Sequence, residues 1–192
     1  ENTAFINAMG MPHERETREN GEMEKHFDQE LAELKKELLK LGALVEQAIY
    51  RSVESLKELS EASARQVITD DKLIDELENA IDERCLDLLA LRQPMAVDLR
   101  FITMVLGITT DLERMADLAV DIAQRVLELV GKPLLKPLVD IPKLATIAQR
   151  MTRSALDAFV NKDGHLARQI ISWDNEADQL RNLVQKELLE DY

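Results

Sequence analysis

Apolar positions recur at intervals of three and four residues along most of this chain. Near the N-terminus the spacing holds for about eight turns, at Phe27, Leu31, Leu34, Leu38, Leu41, Val45, Ala48, Ser52, Leu56 and Leu59. Because one face of an α-helix repeats every 3.6 residues, this pattern predicts one long amphipathic helix that starts after residue 22. Residues 1–22 are polar without this period, and we expect a flexible extension there.

Two further helices follow in the first 130 residues. One is expected from about Ala64 to Leu91, ending before Gln93-Pro94 because the residue before a proline disfavours helical geometry. Its inward positions are Ile74, Leu77, Ile81, Cys85 and Leu88. The other helix is expected from Pro94 to Val130. Its inward positions include Leu99, Ile102, Val105, Leu106, Leu112, Met115, Ala119, Ile122 and Val126.

A proline-rich segment then separates two parts of the chain. Gly131 precedes three of the five prolines, Pro133, Pro137 and Pro142. Beyond this linker we expect a helix over 142–161, a break at 162–164, and a last helix from His165.

The chain also contains an internal repeat. Residues 64–77 recur without a gap as 167–180, with seven of fourteen positions identical. On this offset of 103 residues, the last two predicted helices correspond to the first two. The expected fold is therefore all-α, with two tandem pseudo-symmetric three-helix bundles at 23–131 and 132–192. The second bundle lacks its last helix in this chain, which leaves an apolar groove.

The amino-acid composition is typical of a helical protein, and the net charge excludes some classes of binding partner. Aromatic residues make up 4% of the chain, and 37 acidic against 24 basic residues give a net charge of −13. This charge disfavours nucleic acid as a partner. The single cysteine, Cys85, is expected to be a core thiol, and without an apparent signal or spanning segment we expect a cytoplasmic location.

The candidate chemistry lies in acidic residues four positions apart. Such spacing places side chains on one helix face. The candidates are Asp71 and Asp75, their repeat equivalents Asp174 and Asp178, and the line Glu113, Asp117 and Asp121. About seven acidic pairs at this spacing are expected by chance in so acidic a chain, so a purely solvated surface stays an alternative.

If these carboxylates bind metal, their oxygen ligands favour Mg²⁺, Mn²⁺ or iron. No histidine follows a glutamate by three residues, which disfavours a ferritin-like di-iron centre. The common nucleotide-binding, hydrolase and metalloprotease motifs do not occur, and Trp173 is expected to pack rather than to bind.

Two segments resemble the PhoU family of phosphate-transport accessory proteins. They read Leu-Arg-Gln-Pro-Met-Ala-Val-Asp-Leu-Arg at 91–100 and Asp-Leu-Glu-Arg-Met-Ala-Asp at 111–117. The start His-Phe-Asp-Gln-Glu-Leu at 26–31 is also similar to that of the family. The resemblance implies that the paired acids bind multinuclear iron or zinc clusters.

The same resemblance implies a regulatory adaptor without catalytic residues. It would link the ATPase subunit of a phosphate ABC transporter to a sensor histidine kinase and repress the phosphate-starvation response. We expect a homodimer that reaches the membrane only through these partners. The alternative is a metal-storage or metal-dependent phosphohydrolase bundle.

Overall fold

The computed structural model describes residues 12–134 and 138–190, with side chains from Lys25 onward. The described part contains five helices and no strand, which confirms the all-α prediction. The helices are α1 (Pro12–Glu58), α2 (Glu61–Arg92), α3 (Ala96–Leu129), α4 (Asp140–Val160) and α5 (Gly164–Glu190). The chain divides into two compact units, Glu1–Lys36 and Glu37–Tyr192.

α1 starts earlier than the apolar pattern indicated. It begins at Pro12, so residues 12–22 of the expected flexible extension are helical. The rest of that extension, residues 1–11, lies outside the described part. Proline suits the first turn of a helix, and the Glu and Arg residues that follow are good helix formers. A helix that carries no apolar stripe escapes a search based on hydrophobic period.

Local chemistry sets the other helix ends close to the predicted positions. The Ser60 hydroxyl accepts a hydrogen bond from the Ser63 amide at the start of α2. Gln93 ends α2 in the left-handed conformation, and Gly131 follows α3 at φ 79°. At the start of α5, Asp163 Oδ1 accepts from two amides at 2.9 Å, which lowers the pKa of that carboxyl.

The first repeat packs around α2 and α3. The two helices lie against each other, and four of the five inward positions predicted for α2 are buried. Cys85 is one of them, and burial raises the pKa of its thiol to about 12. The prediction for Leu99 is wrong, because its side chain is exposed. Phe101 is buried instead, and its ring stacks on Phe159 of α4 with a centroid distance of 5.1 Å.

The two repeats meet along α1 and α4. Gly42 allows this close approach, because a Cβ there would overlap the Leu156 side chain. Buried Glu46 forms an ion pair with Arg153, and Gln149 Nε2 donates to the Glu46 carbonyl at 2.7 Å. Glu46 and Gln149 are 103 residues apart, the offset of the repeat, so equivalent positions meet at the contact. This confirms the pseudo-symmetric arrangement.

The second repeat contributes two helices, α4 and α5, which pack against each other. An apolar groove of about 760 Å³ lies between these helices and the start of α3. Its walls include Phe101, Met104, Phe159 and Ile170. An apolar groove was expected from the sequence because the second repeat has two helices in this chain, and the structure contains one.

Candidate metal centre

Asp71 and Asp75 lie one turn apart on the face of α2 that approaches α3. Asp71 is half-buried and Asp75 is exposed. The pKa of Asp71 is raised to about 6, first by burial and then by the charges of Asp75, Asp117 and Glu113. Acids of both α2 and α3 therefore contribute to the pKa of Asp71.

Glu113 and Asp117 supply the α3 side of this group. The pKa of Glu113 is raised by burial, by the charges of Asp117 and Asp75, and by a hydrogen bond with Asp117, while Arg114 lowers it. The charges that raise the pKa of Glu113 thus come from acids of both helices, Asp117 on α3 and Asp75 on α2.

Glu78 is a further member that the sequence pairs did not include. Burial raises its pKa, as do the charges of Asp82, Glu113, Asp75 and Asp117. Glu78 follows Asp71 by seven residues, a spacing that returns to the same helix face. This spacing could have identified Glu78 from the sequence. We call Asp71, Asp75, Glu78, Glu113 and Asp117 the acidic face.

Asp82 follows Glu78 by one turn on α2 and accepts a hydrogen bond from the neighbouring helix. The hydroxyl of Thr109, a fully buried residue of α3, donates to Asp82 Oδ1 at 2.8 Å. This hydrogen bond crosses from α3 to α2 at the end of the acidic face, so it ties the two helices together there.

The remaining predicted ligands lie apart from this group. Asp121 is exposed on α3 and does not contribute to the raised pKa of Asp71, Glu78 or Glu113. On α5, Asp174 is exposed, and Asp178 forms an ion pair with Arg181 at 2.9 Å. Of the seven predicted ligands, four are thus connected by their electrostatic interactions, Asp71, Asp75, Glu113 and Asp117.

The donor set of the acidic face suits a hard divalent cation. All its ligands are carboxylate oxygens from two facing helices, and their mutual repulsion would be relieved by positive charge. Across residues 12–134 and 138–190, no three Asp, Glu, His or Cys side chains are already gathered around one point that could hold an ion. Asp75 and Asp117 are exposed, whereas Asp71, Glu78 and Glu113 are half-buried.

Comparison with known proteins shows the family. The model of the PhoU domain matches residues 38–126 and 141–192. This chain belongs to the PhoU family. The two matched ranges fall on the two repeats, one over α1 to α3 and the other over α4 and α5.

PhoU relatives match most of the chain. A protein of Aquifex aeolicus described as a phosphate-specific transport system accessory protein PhoU homolog is 38% identical over 160 residues, which cover 83% of this chain and 72% of the relative. PhoU homolog 2 of Thermotoga maritima is 34% identical, over 87% of this chain and 71% of its own.

Solved PhoU structures share the fold. The crystal structure of PhoU from Pseudomonas aeruginosa matches with a TM-score of 0.77 at 33% identity, over 86% of this chain and 82% of its own. The regulatory protein PhoU of the Streptococcus pneumoniae phosphate transport system matches with a TM-score of 0.78 at 31% identity, over 85% and 77%. Among the described helices of the present PhoU chain, none is long and apolar enough to span a bilayer.

Proposed function

We propose that this PhoU chain is a regulatory adaptor of phosphate uptake and that its acidic face binds a divalent or multinuclear metal centre. The family match over both repeats supports the first part, since the relatives are described as accessory proteins of phosphate-specific transport. The second part is supported by the charge interactions of Asp71 with Glu113 and Asp117 across two helices.

The metal would be held by carboxylate oxygens of the first repeat. Asp71, Asp75, Glu113 and Asp117 are the ligands that we propose, with Glu78 beside them. Oxygen ligands suit Mg²⁺, Mn²⁺ and iron, and carboxylates also bind zinc. The bound metal would neutralise the repulsion between α2 and α3 and so set their spacing.

In its adaptor role the chain would contact two proteins, the ATPase subunit of a phosphate ABC transporter and a sensor histidine kinase. Both use ATP, which places the proposed contacts in the cytoplasm. By holding the kinase in its repressing state while phosphate is plentiful, the adaptor would keep the starvation response off. We propose that it acts as a homodimer, through binding rather than catalysis.

Binding assays with the purified partners test the proposal. The chain should capture the transporter ATPase and the sensor kinase in Mn²⁺, and Asp71→Asn combined with Glu113→Gln should weaken capture. The matched control is Asp174→Asn combined with Asp178→Asn, which removes two acids of the other repeat. Absence of binding to both partners, with and without Mn²⁺, would contradict the adaptor role.

Metal content and phosphate release separate the adaptor from an enzyme. Protein purified without chelator should contain metal by elemental analysis, and the Asp71→Asn, Glu113→Gln variant should lose it. The metal-loaded protein should release no phosphate from generic phosphoesters. Turnover that depends on Asp71 would instead favour a metal-dependent phosphohydrolase.

A further inference from the structure

The apolar groove of the second repeat corresponds to a packed surface of the first repeat. That surface consists of one residue of α1 and three of α2, namely Leu56, Ala64, Val67 and Ile68. Their equivalents, 103 residues later and in the same order, are Phe159, Ala167, Ile170 and Ile171. All four equivalents line the groove. The groove is therefore the counterpart of a surface that the first repeat buries.

A helix covers this surface in the first repeat. The last turns of α3 pack on it through Ala123, Val126 and Leu127, and the first two are fully buried. Positions spaced by three and four residues form one apolar stripe on a helix. Within residues 138–190 the second repeat has two helices, so no helix of that range takes the place of α3 over the groove.

The exposure of equivalent residues shows the difference. Ala64 is fully buried, whereas Ala167 is exposed. Ile68 is half-buried, whereas Ile171 is 72% exposed. A continuous exposed apolar surface of this kind is typical of a site that binds another protein segment.

The backbone beside the groove has the geometry of the first repeat. Lys162 adopts the left-handed conformation with φ 56°, and its equivalent Leu59 does so with φ 48°. The Asp163 side chain caps α5, as its equivalent Ser60 caps α2. The groove is thus formed in the absence of a bound helix, which lowers the entropic cost of binding one.

Positive charge lies beside the apolar walls. Arg100 and Lys162 line the groove, although the chain as a whole has a net charge of −13. Asp163 also lines it, but its carboxylate accepts hydrogen bonds from two amides of α5. Positive side chains favour the C-terminal end of a helix and acidic residues near that end. In the first repeat it is likewise the C-terminal end of α3 that covers the equivalent surface.

A second copy of this chain is a poor source of such a helix. The segment with the matching stripe is the end of α3, and Ala123 and Val126 are fully buried in its own repeat. A second copy could offer this stripe only by opening its first repeat. A separate protein with an accessible helix has no such cost.

We propose that the groove is the docking site for an amphipathic helix of a protein partner. Its apolar residues would follow the three-four spacing of Ala123, Val126 and Leu127, and its C-terminal turn would carry acidic residues. Insertion of an amphipathic helix into an apolar groove is a common mode of recognition. The inference rests on the proposed adaptor function and states where the adaptor holds a partner.

A labelled peptide with the sequence of residues 115–130 is the first probe, because it contains the stripe that covers the equivalent surface. It should bind the wild-type chain in fluorescence anisotropy. Ile171→Glu should weaken binding by about tenfold or more, because a helix seated in the groove would bury the new charge. The matched control, Leu86→Glu, changes an exposed leucine of α2 outside the groove and should leave affinity within about twofold.

Thermal unfolding checks that both variants fold, which their exposed positions predict. Absence of peptide binding to the folded wild-type chain would overturn the docking site. Equal binding by folded Ile171→Glu would overturn it as well.

Capture of the purified transporter ATPase and sensor kinase then tests the source of the helix. Ile171→Glu should lose capture of at least one of them, whereas Leu86→Glu should retain both. If the wild type and Ile171→Glu capture both partners equally, the docking site is overturned and the adaptor function stands. If the wild type captures neither, the adaptor function fails and the docking site fails with it.

Sedimentation of the chain alone distinguishes a partner from a second copy. Ile171→Glu should leave the oligomeric state of the chain unchanged. A wild-type dimer that Ile171→Glu dissociates would show that a second copy fills the groove, and this would overturn the proposal of a separate partner.

Discussion

The same acidic pair occurs in both repeats, but its surroundings differ. On α2, Asp71 is half-buried, and the charges of Glu113 and Asp117 on α3 help to raise its pKa. On α5, Asp174 is exposed and Asp178 pairs with Arg181. A motif on one helix therefore becomes a candidate site only where a neighbouring helix supplies the other ligands.

One substitution accounts for part of this difference. Arg181 stands at the position of α5 that is equivalent to Glu78 of α2. In the first repeat this position adds a negative charge to the acidic face, whereas in the second it neutralises Asp178. The negative charge of Asp178 on α5 is thus neutralised by a residue of the same helix. A cation would therefore relieve less repulsion there than on the acidic face.

The cores differ as well. α2 has six buried residues, whereas Ile170 is the one buried residue of α5 in its described range. Apolar burial stabilises by about 25 cal/mol per Å², so α2 contributes more to the stability of this chain than α5 does. The first repeat therefore has the larger buried core of the two in this chain.

The largest expected effect follows from this difference in burial. Ile81 of α2 is fully buried, and its equivalent on α5, Val184, is half-buried. Ile81→Ala should lower the free energy of unfolding by about 3 kcal/mol and Val184→Ala by about 1 kcal/mol, measured by urea denaturation. Equal losses would show that the two repeats are equally well packed.

The second-largest expected effect is the gain in stability on metal binding, which should depend on the acids of the first repeat and not on Asp174 and Asp178. Mn²⁺ at about one hundred times its dissociation constant should stabilise the wild-type chain by about 2.7 kcal/mol. Asp71→Asn with Glu113→Gln should abolish this gain, because it removes one ligand from each helix, while Asp174→Asn with Asp178→Asn should preserve it. Thermal unfolding with Mn²⁺ and with chelator measures both, and a loss shared equally by the two variants would contradict a site confined to the first repeat.

Much of the fold could be predicted from the sequence. The bounds of α2 and α3 were predicted closely from the hydrophobic period, from Gln93-Pro94 and from Gly131. The prediction succeeded because the buried positions and the helix-ending residues indicate the same helices. The start of α1 was missed because it depends on helix propensity without an apolar stripe. Leu99 was misplaced because the position of α4 decides which residue of the first α3 turns is covered.

The site was predictable only in part. Spacing on one helix identified Asp71 with Asp75 and Glu113 with Asp117, but it could not show that these pairs face each other. That depends on how α2 and α3 are rotated about their axes, which is decided by packing between residues far apart in the sequence. Interactions between distant residues leave no local spacing to recognise.

A smaller effect is expected for the pH dependence of stability, which should involve Asp71 of the first repeat and not Asp174 of the second. The Asp71 pKa lies at about 6 in the folded chain and at about 3.8 in an unfolded one, so the folded state binds more protons between these values. Without metal, stability should therefore rise as pH falls from 7 toward 5. Asp71→Asn should add about 1 kcal/mol at pH 7, a value reduced for solvent screening, and flatten this rise.

Urea denaturation in chelator at pH 7 and pH 5 measures this effect. Asp174→Asn is the control, and its exposed position predicts a change of no more than about 0.5 kcal/mol at either pH. An Asp71→Asn variant that is less stable than the wild type at pH 7 would mean that this carboxylate has a stabilising partner.

The smallest expected effect concerns a contact between α4 and α5 in the second repeat. The Arg150 guanidinium lies 4.4 Å from the Trp173 ring centroid and 2.9 Å from Glu176. Arg150 and Glu176 are exposed and Trp173 is half-buried, so Arg150→Ala should cost about 0.5–1 kcal/mol. The control Arg125→Ala, which breaks a pair within one helix, should cost less. Because Arg150 lies in the second repeat and its partners Trp173 and Glu176 are both on α5, its loss should leave Mn²⁺ affinity unchanged if the site is confined to the first repeat. A weaker Mn²⁺ affinity in Arg150→Ala would show that the second repeat also takes part in metal binding.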